Sequence, residues 1–135
     1  MEGLIDTSVL VDYIVLEAEL HGEAVSCIGR LDRCFVATVV IEELVHVLDR
    51  LRLDRKLIND KLHEVLSSCE VLSFGTKTLL MAAETLMKAK GMTFRQYNDM
   101  ILLSIAKDQR MLLLTFDKDL MEACRANGVK LLQDA

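Results

Sequence analysis

Proline and tryptophan are absent from this chain, and aromatic residues make up only 4% of it. Without proline there is no polyproline segment and no rigid spacer, and six glycines in 135 residues are too few for a flexible linker. No internal repeat or low-complexity tract interrupts the pattern, so one domain spanning residues 1–135 with a single core is expected. So few aromatics exclude a base-stacking platform of the kind that holds single-stranded nucleic acid. A glycine-rich phosphate cradle and a Ser-His-Asp set are also missing. Cys27, Cys34, Cys69 and Cys124 form no Cys-x-x-Cys pair, and His21, His46 and His63 do not cluster with them. That argues against a zinc site or a disulfide framework and for buried reduced thiols. The longest apolar stretches, residues 101–106 and 111–114, are far too short to cross a bilayer. The opening Met1-Glu2-Gly3 carries no basic leader region, which leads us to expect a cytoplasmic protein with no membrane association.

What the chain does have is apolar mass. Hydrophobic residues make up 52% of the sequence, a share suited to a sheet covered on both faces. Short strand-like pieces near 3–6, 34–37, 69–73, 111–115 and 129–132 alternate with helical periods near 8–20, 23–31, 39–53, 55–68, 76–90, 94–108 and 117–127. This alternation predicts an α/β fold, a three-layer α/β/α domain around a central, mainly parallel sheet. Thr93 and Gln96 have capping-box spacing at the head of the sixth helix, and Gly91 and Gly128 sit where glycines would end helices five and seven.

The net charge of −5 disfavours phosphate-rich partners unless some acids are neutralised. Basic residues are uneven: Arg50, Arg52, Arg55, Lys56 and Lys61 fall within twelve positions, against Asp54 and Asp60. Either a solvated helix face or an RNA-contacting patch would produce that run.

Four acids sit awkwardly against apolar segments. Asp6 follows Leu4-Ile5, Glu43 lies in Val39-Val40-Ile41-Glu42-Glu43-Leu44-Val45, Asp99 in Tyr97-Asn98-Asp99-Met100-Ile101-Leu102-Leu103, and Asp117 follows Leu112-Leu113-Leu114-Thr115-Phe116. In an α/β fold, strand ends and helix starts converge on one crevice. Clustered carboxylates repel one another unless a cation neutralises them, and an all-oxygen anionic set suits Mg²⁺ or Mn²⁺. N-capping is the simpler reading of Asp6 and Asp117, although Thr7 or Ser8 and Asp119 compete for those roles. Asp99 is already in its second turn, and Leu102, Leu103 and Ala106 continue its face, so it needs a salt-bridge partner or a cation. Of the tandem pair, Glu43 falls roughly 110° from the centre of the apolar stripe and Glu42 roughly 150°, which favours Glu43 as the crevice acid. His46 reads as a partly buried side chain and not as a ligand.

In order and context these segments resemble the PIN-domain nucleases, particularly VapC-type toxins of prokaryotic toxin–antitoxin pairs. The matching stretches are Leu4-Ile5-Asp6-Thr7-Ser8, Glu43-Leu44, Asn98-Asp99-Met100-Ile101-Leu102-Leu103-Ser104-Ile105-Ala106 and Leu114-Thr115-Phe116-Asp117-Lys118-Asp119-Leu120. The resemblance implies a parallel sheet between helices and Mg²⁺- or Mn²⁺-dependent RNA cleavage that leaves a 5′-phosphate and a 3′-hydroxyl. Asp6, Glu43, Asp99 and Asp117 would then be both the catalytic and the metal-binding residues. It further implies a homodimer and a small antitoxin partner. Ser8, Thr115 and Lys118, with Arg95 and Arg110, are the expected substrate contacts. Three alternatives remain open at this stage: a housekeeping RNA-processing nuclease, a non-catalytic PIN-like binding module, and an aspartyl-phosphate switch. The last lacks the Asp-x-Asp or early acidic pair that such switches use.

Overall fold

The computed structural model describes residues 1–88 and 93–135, and of residues 85, 86 and 94 the backbone alone. Four strands, β1 (Glu2–Ile5), β2 (Arg33–Ala37), β3 (Glu70–Leu72) and β4 (Leu112–Leu114), pair in parallel in the order β3-β2-β1-β4. Gly3, Leu4 and Ile5 of β1 are all buried, as a central strand covered on both faces requires. The helices are α1 (Thr7–Ile14), α2 (His21–Gly29), α3 (Thr38–Arg50), α4 (Arg55–Ser68), α5 (Thr76–Lys88), α6 (Phe94–Gln109) and α7 (Lys118–Ala126). By packing they form two groups: α1 touches α2 and α3, and α3 touches α4, while α6 touches α5, α7 and β4. From β1 to β3 the chain steps one way across the sheet, then returns past β1 to place β4. With right-handed crossovers that reversal puts the two helix groups on opposite faces. The three-layer α/β/α arrangement expected from the sequence is the one observed.

The reversal also fixes where side chains can meet. Between β1 and β4 the strand order changes direction, and a crevice opens outside the carboxyl ends of the strands at such a point. The register Ile5↔Leu114 brings the residues that follow, Asp6 and Thr115, side by side, and the Asp6 N–H extends the ladder to the Leu114 carbonyl at 2.9 Å. At the opposite end of the sheet, the Arg33 guanidinium bridges Glu2 of β1 (2.8 Å) and Glu70 of β3 (2.7 Å).

The structure corrects several expectations. The helix expected over 8–20 ends at Ile14: Val15 is extended (φ −84, ψ 103), and a ring nitrogen of His21 bonds the Asp12 carbonyl at 2.9 Å. One acceptor left open at the end of α1 is thus satisfied by a folded-back chain instead of another helical turn. The fifth strand near 129–132 shrinks to a single bridge, Leu113↔Leu131, because the chain closes at once into a 3-10 turn at Leu132–Asp134. Cys34 and Cys69, expected as buried reduced thiols, are half-buried and joined as a disulfide with Cα atoms 4.9 Å apart. The pairing Phe35↔Glu70 makes the preceding residues neighbours across two parallel strands, a proximity that spacing along the chain does not reveal. Cys27 and Cys124 are free and buried as expected.

Local punctuation follows the sequence closely. The Thr93/Gln96 capping box opens α6, and Gly128 (φ +73) follows α7 with the Val129 N–H bonded to the Cys124 carbonyl at 2.9 Å. Gly91 lies outside the described residues. Among those residues no helix is long and apolar enough to cross a membrane.

Core dependence can be checked directly. Leu113→Ala, at a fully buried position in β4, should lower unfolding free energy by about 2–5 kcal/mol. Leu16→Ala, at a residue 69% exposed, should change it by under about 0.5 kcal/mol. Urea denaturation of the two variants measures both.

Candidate active site

Two of the four acids are fixed by strand ends and two by helix turns. Asp6 follows β1 and caps α1; Asp117 follows β4 by one loop and caps α7. Glu43 and Asp99 are each the sixth residue of their helices, α3 and α6. Asp6, Glu43 and Asp99 line one cleft of about 620 Å³, together with Thr7, Ser8, Val11, Asp12, His46, Val47, Arg50, Arg95 and Asn98. Asp117 stands at its edge, tied to Arg95 by a 2.9 Å ion pair.

Asp6 is the anchor of the cluster. It is 5% exposed, and its carboxylate accepts from the Thr7 N–H (2.8 Å), the Ser8 hydroxyl (2.9 Å) and the Thr115 hydroxyl (2.7 Å). Burial raises its pKa, these three donors oppose the rise, and the Asp117 charge adds to it. Glu43 is raised by burial and by Asp6, with Arg95 and the Thr7 hydroxyl (3.5 Å) pulling it back. Asp99 shows the crowding most clearly. Burial, then the charges of Asp6, Asp117 and Glu43, push it up to about 7, and Arg95 pulls it down. No hydrogen bond to the Asp99 carboxylate is present among the described residues. The negative potential reaches behind the cluster too: the Cys124 thiol is pushed up to about 11 by burial and then by Asp6 and Asp99.

The charges of Asp6, Glu43 and Asp117, though these residues lie far from Asp99 in sequence, therefore all reach it. Both capping explanations hold as well. Asp6 and Asp117 are the caps themselves, and the competitors Thr7, Ser8 and Asp119 are not, so in each residue one carboxylate serves structure and cluster together. Glu43 lines the cleft and Glu42 is exposed.

Several expected contacts stand elsewhere. Thr115 is fully buried, and its hydroxyl donates to Asp6 and accepts from the Asp117 N–H at 3.0 Å; it orients acids and does not face a ligand. Ser8 lines the cleft, but its oxygen also accepts from the Phe116 N–H at 3.0 Å. Lys118 is exposed on the first turn of α7 and does not line the cleft. Arg110 sits at the far end of β4, in a separate hollow with Lys107 and Lys130. His46, expected to be partly buried, is exposed on the cleft wall. Sequence reasoning missed Asn98 (6% exposed), Thr7 and Asp12 as cleft residues, and Arg50, first of the basic run that allowed an RNA contact, lines the cleft with them. Asn98 had a signal: Ile101 and Leu102, three and four residues on, place it on the buried face of α6. Arg50 lies two turns beyond Glu43 on the same side of α3.

The donor set fits a hard divalent cation in charge and chemistry, since the neighbouring carboxylates oppose the ionisation of Glu43 and Asp99 and offer oxygen alone. As it stands, no group of three His, Cys, Asp or Glu side chains among the described residues already converges to hold an ion. Among the described residues nothing hydrogen-bonds Asp99 or one oxygen of Glu43, and hard cations of this kind keep several waters, so full convergence of protein oxygens is not required.

The raised Asp99 sets a sign for stability. The folded state holds a proton that the unfolded state, near the ordinary 3.8, releases, so Asp99 costs stability as pH rises from about 4 through about 7. In chelator-treated protein, Asp99→Asn should flatten that decline and raise Tm at pH 8 by about 3–6 °C, with little change at pH 4. Calorimetry across that range decides it.

The fold has counterparts among known proteins. A PIN domain family model matches residues 3–126. VapC20 of Mycobacterium tuberculosis, described as a Sarcin-Ricin loop cleaving toxin, superposes with a TM-score of 0.78 at 17% identity, covering 90% of this chain and 94% of that one. VapBC2 of Rickettsia felis, solved bound to a DNA fragment from its promoter, gives 0.69 at 19% identity, covering 97% of each chain. FitAcB of Neisseria gonorrhoeae gives 0.66 at 21% identity, covering 96% and 95%. No curated protein matches the chain. With the family model spanning nearly its whole length and the fold shared with VapC-type toxin structures, this chain belongs to the PIN domain family.

Proposed function

We propose that this protein is a divalent-metal-dependent ribonuclease acting as the toxin of a toxin–antitoxin pair. The observation that carries the reading is the gathering of Asp6, Glu43, Asp99 and Asp117 at the switch point between β1 and β4, where burial and then the charges of the other three push Asp99 up to about 7. Such a cluster is costly to fold unless cation binding repays it, and strongly shifted acids in a cleft mark functional sites. Mg²⁺ or Mn²⁺, held by these four side chains directly or through water, would lower the pKa of a bound water and stabilise charge developing on the phosphate.

The chain's own groups supply the frame. Thr115, Ser8 and the Thr7 N–H hold Asp6 in one orientation, so the centre of the cluster is rigid before substrate arrives. The Thr7 hydroxyl leans on Glu43 and ties α1 to α3 across the cleft floor. A cleft of about 620 Å³ has room for a nucleotide with its phosphate at the acidic end. In-line attack there would leave a 5′-phosphate and a 3′-hydroxyl. Arg50 and His46 line the wall along α3 and would meet the continuing strand.

The assignment as a toxin draws on the neighbours: VapC20 is described as a Sarcin-Ricin loop cleaving toxin, and a structure from Klebsiella pneumoniae as a toxin–antitoxin complex. On this reading a small antitoxin silences the enzyme, and the chain works as a homodimer. Exposed Leu79, Leu80 and Met87 on α5 are apolar surface that such assemblies would cover. A short open reading frame beside this one, encoding a DNA-binding-type protein, would separate the toxin role from housekeeping RNA processing.

Purified protein should cut single-stranded RNA with Mn²⁺ and stop on chelation. Asp99→Asn should slow cleavage at least about a hundredfold without loss of the folded state. Glu43→Gln should act similarly, while Glu42→Gln stays within about twofold. An Asp99→Asn variant cutting at the wild-type rate sinks the assignment. Asp6→Asn is a poorer probe, because the new amide would point N–H groups at the Ser8 and Thr115 hydroxyl donors.

A further inference from the structure

Arg95 occupies a position that the cluster's chemistry has to disturb. Both oxygens of Asp117 are engaged: Oδ1 accepts from the N–H groups of Asp119 (2.9 Å) and Leu120 (3.3 Å), and Oδ2 from the Arg95 guanidinium (2.9 Å). The N-cap bonds are part of α7 and stay. Oδ2 is therefore the oxygen Asp117 can offer a cation, and a guanidinium is already on it. Two cations on one carboxylate oxygen repel, so a divalent ion and Arg95 compete for it. The partners differ in freedom. The Asp117 side chain is 15% exposed and held by its cap, whereas that of Arg95 is 66% exposed on a long, flexible stem.

Displacement does not send Arg95 far. It stands four residues before Asp99 on α6, on the same helix face, and it lines the cleft. Its charge already lowers the proton affinity of both Glu43 and Asp99. Released from Asp117, the guanidinium remains at the mouth of the acidic end, where a scissile phosphate must arrive. Its planar pair of donors matches phosphate oxygens bidentately, which lysine cannot do. The alternative is a fixed strut joining α6 to α7. An ion pair with one partner two-thirds exposed contributes little as a strut.

We propose that Arg95 exchanges partners during function: it neutralises Asp117 in the metal-free protein and binds the RNA phosphate once a divalent cation takes the Asp117 Oδ2. The phosphate half rests on the ribonuclease reading; the competition with metal does not.

The test uses the full chain with Arg95→Gln and Arg95→Lys. In calorimetric titration with Mn²⁺ and no RNA, Arg95→Gln should bind the ion about threefold to tenfold tighter than wild type, and Arg95→Lys close to wild type. Binding of a single-stranded RNA oligonucleotide is then measured with Ca²⁺ loaded, to hold back turnover, and again with chelator. With Ca²⁺, Arg95→Gln should bind RNA about tenfold more weakly, with a salt slope shallower by about 0.7, and Arg95→Lys should recover part of the loss. With chelator, where Arg95 is engaged by Asp117, wild type and Arg95→Gln should bind alike. Unchanged or weaker Mn²⁺ affinity in Arg95→Gln overturns the exchange, as does an equal RNA loss with and without metal. A wild type that neither binds nor cuts RNA removes the phosphate half together with the ribonuclease reading, while the Mn²⁺ titration still decides the competition.

Discussion

Repulsion among four carboxylates is the constraint around which the rest of this molecule is arranged. Asp6 and Asp117 come from the two strands that flank the switch point, and Glu43 and Asp99 from the second turns of α3 and α6, one helix from each layer. Bringing them together in a half-buried cleft opposes folding: burial, and then the charges of Asp6, Asp117 and Glu43, push Asp99 up to about 7. The sheet supplies what offsets it. Its apolar strands bury Leu4, Ile5, Leu113 and Leu114 completely, so the acids ride on a core that does not depend on them.

Local devices then limit the penalty residue by residue. Asp6 is satisfied by a backbone N–H and two hydroxyls, and Asp117 by two N–H groups at the head of α7 and by Arg95. Capping and clustering, which look like rival explanations of an aspartate after a strand, are the same geometry. The N-terminus of a helix offers N–H donors to an anion at the place where an α/β crevice opens. Asp99 has no such donor among the described residues, and burial and then its neighbours' charges push it up to about 7.

Much of this was legible along the chain. Alternating strand and helix periods point to a layered α/β fold, and the capping box at Thr93 and the glycine at 128 end or start helices where expected. The acids were legible one at a time, because a charged residue beside a continuous apolar run is conspicuous. Misreadings fell where contacts between distant segments decide. A periodic pattern over 8–20 gave way at Val15 because His21 folds back on α1. Cys34 and Cys69 became partners through strand register. Thr115, polar and next to an acid, turned inward because Asp6 lies across from it.

By itself, then, the sequence determined the periods, the caps and the identity of the acids, since each depends on residues within a turn or a strand of one another. Tertiary structure alone decided that Asp6, Glu43 and Asp99 share one cleft, that Asn98 and Arg50 line it, and that Arg95 on its wall reaches Asp117. The physical reason is range. Propensity and hydrophobic period act over a few residues, whereas register across β1 and β4 joins positions more than a hundred residues apart, and charge is felt only once that register has closed.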